Sequence, residues 1–531
     1  MTAPWDTIPH LIDDAAERFA EREAFVDEDR RWSFINYRDR VHEASRALMA
    51  RGIGHGDRIA VWAPNLAEWA VAALGAHCVG AVLVPINTRF KGREAADLLE
   101  RSSARILFTI TDFLDVDYVA LLKEAGAEPD KLATLDEVVV LRGTVPDDCT
   151  AWNEFVAAGA AVDDADRAAR SAEVTGDDLC HIMFTSGTTG VPKGAMLRHS
   201  AVCRGFLSWS NVIGLVEGDR YLVVNPFFHA FGLNSGILAC LMKGVTLVPH
   251  LVFDVPSVIR RVAEERITML PGPPAIYQTI LGHPDEDLPD LSTLRLAVTG
   301  AAAIPVQMIH DMRERLGFEK VVTGYGLTEA SGIATMCRHN DDPALIAGTS
   351  GRAIDDVEVI VVDPDGTPCA PGEPGEGVVR GYHVLVGYLD DPDQTAEAVD
   401  ADGWLHTGDI GVMDADGYLD ITDRVKDMFI NGGFNVYPAE VEGLMLAHPS
   451  IERVAVVGVP DERLGEVGAA FIVPAAGTKP DGEELMAWCR AEMANYKAPR
   501  LVEVVDDLPM NASGKVLKFE LRQRAAAKRS T

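Results

Sequence analysis

A chain of 531 residues that is 47% hydrophobic and 24% charged is long enough to bury several cores and too apolar to be disordered. Its formal charge of −33 argues against a nucleic-acid binder, because phosphate backbones are held by clustered Lys and Arg. Any anion site must therefore be local, built from backbone N–H groups, single lysines or a metal ion.

The first residues, MTAPWDTIPHLIDDAAERFAERE, are broken by acids and lack a basic start, so no signal peptide is expected. Ile8, Leu11, Ile12, Ala15 and Phe19 share one face of a first helix. Asn65, three residues before Glu68, reads as a capping box opening a second one. From Trp69 to Thr88, 20 residues carry no Asp, Glu, Lys or Arg, the length of a membrane span. Gly75, His77, Gly80 and Pro85 interrupt that run, which favours a buried helix followed by a strand at 81–84 over a transmembrane segment.

Apolar β-rich runs at 58–63, 179–184, 221–224, 245–248, 267–270, 295–299 and 320–323 alternate with helical stretches such as 255–265 and 305–316. Such alternation predicts an α/β fold with largely parallel sheets and ligand sites in loops at the strand ends. After about residue 350 the texture changes to Gly- and Pro-rich turns at 363–377 and 413–422, which read as hairpins. From about residue 438 come a helix, strands at 454–458 and 469–473, a helix at 482–494 and a strand near 501–505, the pattern of a small α+β domain. The 8 cysteines form no CxxC pair and suggest neither a disulfide framework nor a zinc site, so a reducing, cytoplasmic setting is expected.

Chemistry-bearing stretches lie at intervals on this frame. TSGTTGVPKG places Thr185, Ser186, Gly187, Thr188, Thr189 and Gly190 after a strand, with Lys193 following. Glycines let backbone N–H groups approach phosphate oxygens, and hydroxyls add donors. It is not a Walker A loop, because Lys193 follows Pro192 and precedes Gly194. In GYGLTEASG, Tyr325 offers a flat ring for a base and Glu329 a carboxylate for Mg²⁺. HTGD places Asp409 after a glycine, where a carboxylate could accept both ribose hydroxyls; an Asp in a β-turn is the plainer reading of that motif alone. DRVKD sets Arg424 and Lys426 shortly before Gly432 and Gly433, and SGK ends in Lys515.

The joint order of these five stretches, over essentially the whole chain, resembles the adenylate-forming superfamily of acyl-CoA synthetases, peptide-synthetase adenylation domains and beetle luciferases. The resemblance implies a large N-terminal region of layered α/β subdomains at 1–424 and a small mobile α+β C-terminal domain at 425–531, with a hinge near Lys426. It implies ATP, Mg²⁺ and coenzyme A as cofactors. Thr185 to Gly190 with Lys193 would handle the β- and γ-phosphates, and Thr185 with Glu329 the metal. Tyr325 would stack on adenine, Asp409 and Arg424 would serve the ribose, and Gly300, Ala301, Ala302, Gly326 and Thr328 complete the nucleotide set. Lys515 would reach the acid carboxylate and α-phosphate, His229 would stand beside that carboxylate, and Gly433 would border the pantetheine tunnel.

The acid is expected to be apolar, because the stretches 225–236, 270–278 and 298–305 carry Phe231, Leu233, Ile276 and small alanines but no Asp or Glu for an α-ammonium group. Within the family, NPFFHAFG and LPGPPAIYQ look like the actinobacterial ligases for the indanedione propanoate left by steroid ring degradation. The chain departs from that group at Ala230, Leu233 and Asn234, where the group carries an Asn and a Tyr-Lys pair, so a medium-chain or other cyclic acid stays open. So do delivery of the acyl group to a carrier protein, a non-catalytic nucleotide sensor and a homodimeric assembly.

Overall fold

The computed structural model describes residues 4–126, 132–185, 192–272, 274–284, 288–300, 304–424, 429–436, 438–509, 516 and 518–529. Its central element is an eight-stranded sheet whose strands run, in spatial order, Gly387–Tyr388, Lys193–Arg198, Leu179–Thr185, Val82–Pro85, Arg58–Trp62, Ile106–Thr109, Glu137–Val140 and Thr150–Ala151. From Leu179–Thr185 outward to Thr150–Ala151 every pairing is parallel. Parallel strands are covered on both faces, which is why these runs are continuously apolar instead of alternating. The charge-free run resolves as helix Ala67–Cys78, buried at every position, followed by strand Val82–Pro85. No described helix is long and apolar enough to cross a membrane.

The helix expected after Asn65 is present, but Asn65 does not cap it. Its amide donates to the carbonyls of Val223 and Asn225, and its Oδ1 accepts from the Phe227 N–H. The N–H of Ala67 is met by the carboxylate of Asp27, 40 residues earlier in the chain. A helix start needs an acceptor for its orphan N–H groups, and a distant carboxylate meets that need as well as a local one.

A second layer joins strands Arg220–Val223, Thr246–Pro249, Glu23–Asp27 and Arg30–Ser33, and a third joins Leu296–Gly300, Lys320–Tyr325, Thr335–Met336 and Arg352–Ala353. The strand expected at 267–270 is reduced to single parallel bridges from Met269 to Tyr221 and to Leu296, which link the two layers. Helices Val255–Glu264 and Val306–Leu316 bury Val258, Ile259, Val262, Ile309 and Met312 in one core beneath them. The hairpin-rich region forms a sheet in the order Val357–Val362, Pro374–Gly381, Leu405–Met413, Leu419–Arg424.

Two compact units result, residues 1–88, 95–184 and 194–422 in one, and 89–94, 185–193 and 423–531 in the other. In the second, strands Ile451–Asp461 and Gly465–Pro474 pair along their length, and Leu501–Val504 adds a parallel neighbour. Period-two alternation sends Val456, Ala470 and Ile472 into a core with Leu485 and Cys489, while Ala455, Val457 and Phe471 face Leu521 and Ala525. This sheet is therefore packed on both faces.

Candidate functional site

In the larger unit, the GYGLTE stretch begins at the C-terminal end of strand Lys320–Tyr325 and turns through a single 3₁₀ turn, Thr328–Ala330. Gly326 is obligatory there, since a Cβ would lie 2.4 Å from the carbonyl oxygen of Gly332. Glu329 is half-buried in that turn. Its Oε1 accepts a 3.0 Å hydrogen bond from the hydroxyl of Tyr388, and its carbonyl accepts from the N–H of Leu385 at 2.8 Å. Thr328 precedes it on the same turn.

Asp409 is 2% exposed, on strand Leu405–Met413. The pairing with Pro374–Gly381 slips between Glu376↔Ile410 and Val378↔His406, so residues 407–409 bulge opposite Gly377. Bulges re-aim side chains. Here the distortion is held by Thr407 Oγ1 donating to the Gly377 carbonyl at 2.6 Å and by the Gly408 N–H donating to Glu376 at 2.9 Å. Gly408 has φ 70°, a conformation that favours glycine. The carboxylate so presented accepts a 2.5 Å hydrogen bond from Tyr325 Oη. Two residues 84 positions apart, expected to serve adenine and ribose, are thus directly joined.

His229 precedes a π-helical segment, Phe231–Leu238, which the sequence reading did not anticipate. Irregular helices of this kind concentrate at functional sites. The signal was there in Gly232 and Gly236. A Cβ on Gly232 would meet the Pro226 carbonyl oxygen at 2.0 Å, and one on Gly236 would press on Val223. The Nδ1 of His229 accepts from the Phe231 N–H at 3.2 Å, so the neutral ring carries its proton on Nε2. His229 is solvent-exposed, yet enough protein surrounds its ring for desolvation to lower its pKa. Leu233 and Ile276, expected to line an apolar cavity, are 0% and 5% exposed, and Ile276 belongs to the core. Phe231 is half-buried, edge-on to Trp209. Asn234 Nδ2 donates to the Ser331 carbonyl at 3.3 Å, tying the π-helix to the turn that carries Glu329.

In the other unit, Thr185 ends strand Leu179–Thr185 and its hydroxyl donates to the carbonyl of Lys193, which opens strand Lys193–Arg198. Gly432 and Gly433 form the two-residue turn between strands Phe429–Asn431 and Phe434–Val436, with φ 58° and 84°. Positive φ at both central positions is the type I′ hairpin geometry, for which paired glycines are suited. Arg424 closes strand Leu419–Arg424 by its backbone. Back in the larger unit, Gly300 ends strand Leu296–Gly300. Ser186, Gly187, Thr188, Thr189, Gly190, Ala301, Ala302, Lys426 and Lys515 lie outside the described residues.

A layered α/β body with a carboxylate turn at one strand end, and a bulged strand joining an aromatic ring to a buried carboxylate, defines a nucleotide-handling enzyme of the adenylate-forming type. Residues 12–389 match the AMP-binding enzyme family and residues 440–515 the AMP-binding enzyme C-terminal domain; the chain belongs to that family. It is 46% identical to a 7a-methyl-1,5-dioxo-octahydro-1H-inden-4-yl-propanoyl:CoA ligase of Rhodococcus jostii, over 98% of this chain and 99% of the relative. A ligase of the same description from Mycobacterium tuberculosis is 47% identical over 97% and 98%. A solved double mutant of o-succinylbenzoate CoA synthetase from Bacillus subtilis, bound with its product analogue, has a TM-score of 0.80 and 27% identity over 97% and 98%. The protein is an AMP-forming acid–CoA ligase, with ATP, Mg²⁺ and coenzyme A as its cofactors.

Proposed function

We propose that this ligase activates a bulky apolar carboxylic acid, a bicyclic propanoate of the kind named for its Rhodococcus and Mycobacterium relatives, with the residues of the adenylate-forming motifs in the roles that resemblance assigns them. The observation that carries the reading is the Tyr325–Asp409 hydrogen bond, because it couples a flat ring for a base to a carboxylate for a ribose. Asp409 accepts from the ribose hydroxyls, with Arg424 beside them, and Tyr325 lies against adenine. Gly300, Ala301, Ala302, Gly326 and Thr328 line the nucleotide with backbone groups and small side chains.

The reaction brings a carboxylate against the α-phosphate of ATP, anion against anion, and releases pyrophosphate with developing charge. Fixed donors meet that charge. Thr185 to Gly190 and Lys193 hold the β- and γ-phosphates, and Lys515 neutralises the oxygens at the point of attack, a positional and electrostatic task. Mg²⁺ takes hard oxygen donors, and the Glu329 carboxylate is of that kind: the Tyr388 bond to it comes from a neutral phenol and so leaves the negative charge in place, while the resemblance assigns the Thr185 hydroxyl to the same ion. Bound there, the metal would supply positive charge to the phosphate oxygens. His229, its proton on Nε2, offers a donor to the acid carboxylate. Residues 425–531 then turn about Lys426, withdrawing Lys515 and bringing Gly433 to the path of the CoA thiol.

Apolar recognition is supported by Phe231 beside His229 and by the lack of Asp or Glu in the stretches 225–236, 270–278 and 298–305. A cytoplasmic location is supported by 6 buried free thiols, which suit a reducing compartment. The test is acid-dependent pyrophosphate exchange and CoA-dependent AMP release with straight-chain, aromatic, amino and bicyclic propanoic acids. Highest kcat/KM with the bicyclic acid is expected; preference for an amino acid, or exchange without thioester formation on free CoA, overturns it. In the same assays Lys515→Ala is expected to lose about 10²–10³-fold in exchange while still forming thioester from supplied acyl-adenylate.

A further inference from the structure

Residues 382–389 were singled out by no motif, yet they are pinned at close intervals between two parts of the larger unit. The Ser331 hydroxyl donates to the His383 carbonyl at 2.7 Å, and the Leu385 N–H to the Glu329 carbonyl at 2.8 Å. One residue on, the Val386 N–H donates to Met196, and the Leu389 N–H to Gly194, each at 2.8 Å. Between them, Gly387 and Tyr388 pair antiparallel with Met196 and Ala195. The segment therefore braces the turn carrying Glu329 against the strand that follows the phosphate-loop sequence.

Tyr388 sits at the centre of this brace and is 8% exposed. Its N–H donates to Thr395 Oγ1 at 2.8 Å, and that hydroxyl donates to the Asp391 carbonyl at 2.8 Å, so its backbone is fixed on the side away from Glu329 too. From this rigid base its hydroxyl reaches Glu329 Oε1 at 3.0 Å. A glutamate has three side-chain torsions to settle before its carboxylate has one direction. A phenol settles them without cancelling the charge, whereas a lysine or arginine in its place would compete with a metal ion for the same anion.

We propose that Tyr388 is a positioning residue for the adenylation step: its hydroxyl holds one carboxylate oxygen of Glu329 so that the carboxylate is oriented before metal–nucleotide arrives. The inference rests on the adenylation reading above, and it predicts a selective defect. Groups that orient a metal ligand typically change metal affinity about 10–100-fold when removed.

The test uses Tyr388→Phe, which removes one oxygen and keeps the ring, alongside Glu329→Gln and the double variant in the full-length enzyme. Mn²⁺ affinity is read by electron paramagnetic resonance with a non-hydrolysable ATP analogue, independently of turnover. Tyr388→Phe is expected to weaken Mn²⁺ about 10–100-fold, and to add little when Glu329 is already Gln, because the two act through one interaction. Thioester formation from supplied acyl-adenylate is expected to stay at the wild-type rate. Unchanged Mn²⁺ affinity in Tyr388→Phe overturns the proposal, and so does full additivity in the double variant or equal loss in both half-reactions. Failure of the wild-type enzyme to exchange pyrophosphate with any acid would instead sink the adenylation reading, which the metal-affinity readout keeps separate.

Discussion

Three histidines from three elements meet in the core of the larger unit: His77 on helix Ala67–Cys78, His181 on strand Leu179–Thr185 and His199 at the start of helix His199–Ile213. All are 0% exposed, with ring centroids 5.1 Å apart for His77 and His181 and 5.5 Å for His77 and His199. Both nitrogens of His77 and His181 and the Nε2 of His199 lack hydrogen-bond partners; the His199 Nδ1 accepts from the Ile8 N–H. Burial, reinforced by mutual repulsion among the rings, pushes His181 down to about 3, while His77 falls well below its ordinary value. His199 is likewise depressed to about 3 by burial, against a raising contribution from Asp178 and a lowering one from His55. Folded pKa values below the unfolded ones mean that the unfolded chain takes up protons first as pH falls. The stability tied to neutral rings is therefore fully present above about pH 6.5 and drains away as pH drops toward about 3. At about pH 5.5 each histidine costs about 1.4 kcal/mol, so the three together cost about 4 kcal/mol, a large part of a typical folding free energy. Guanidinium unfolding followed by tryptophan fluorescence at about pH 7.5 and about pH 5.5 measures this loss. Carboxylates with lowered pKa, such as Glu68 and Asp178, keep their contributions throughout that window. His383, pushed down to about 4 by burial, and His229 and His250, also lowered by burial, add to the loss, while Glu440, raised by burial, opposes it. The cluster's share is therefore the part removed when His77, His181 and His199 are replaced. An unfolding midpoint that does not move between the two conditions, or imidazole resonances of these residues titrating near pH 6.5, would refute the reasoning.

Tyr325→Phe removes the hydroxyl that donates to Asp409; a hydrogen bond to a charged group is worth about 1.5–3 kcal/mol, so KM for ATP and KM for supplied acyl-adenylate, which carries the same adenine and ribose, are both expected to rise about 10-fold or more. Gly232→Ala puts a methyl group 2.0 Å from the Pro226 carbonyl oxygen, and the forced shift is expected to cost about 1–3 kcal/mol in thermal or denaturant stability and to raise KM for the acid more than KM for ATP. Lys497, 1% exposed, forms a 2.6 Å ion pair with Glu440, whose pKa burial raises despite the lowering effect of Lys497. Lys497→Met strands a buried carboxylate and is expected to destabilise the unit containing residues 423–531 by about 3–5 kcal/mol, read as a lowered unfolding midpoint; the double change with Glu440→Gln should recover part of the loss.

Wherever one stretch of chain carries its own pattern, the sequence was a sufficient guide. The apolar face of the first helix, the buried helix and strand inside the charge-free run, and the alternation in strands 451–461 and 465–474 all follow from periodicity. Failures occur where a local signal met a partner from far along the chain. Asn65 has the right type and spacing to cap a helix, but its carboxamide is taken by backbone groups of residues 223–227, and Asp27 caps instead. The apolar run at 267–270 is strand-like in composition, yet it contributes only bridges at Met269 between neighbours already paired elsewhere. The histidine cluster was invisible for the same reason, since each ring alone reads as a core residue and only the packing of two helices on one strand brings them together.

The candidate site divides along the same line. Tyr325, Glu329 and Asp409 were legible because each stands in a short stretch whose order along the chain resembles a family. How Asp409 is aimed was not, because it depends on a register slip in a sheet: three residues facing Gly377 turn the carboxylate toward a tyrosine 84 positions away. Tyr388 carried no signal at all, since a tyrosine after a glycine in a short edge strand is ordinary; what distinguishes it is a 3.0 Å bond to a residue 59 positions earlier. Motif residues name the atoms that face substrate, and the groups that orient those atoms come from whichever segment the fold lays alongside. Single-atom substitutions at such supporting positions therefore separate chemistry from scaffolding better than removal of the motif residues themselves, because they leave the acceptor in place and change only its freedom.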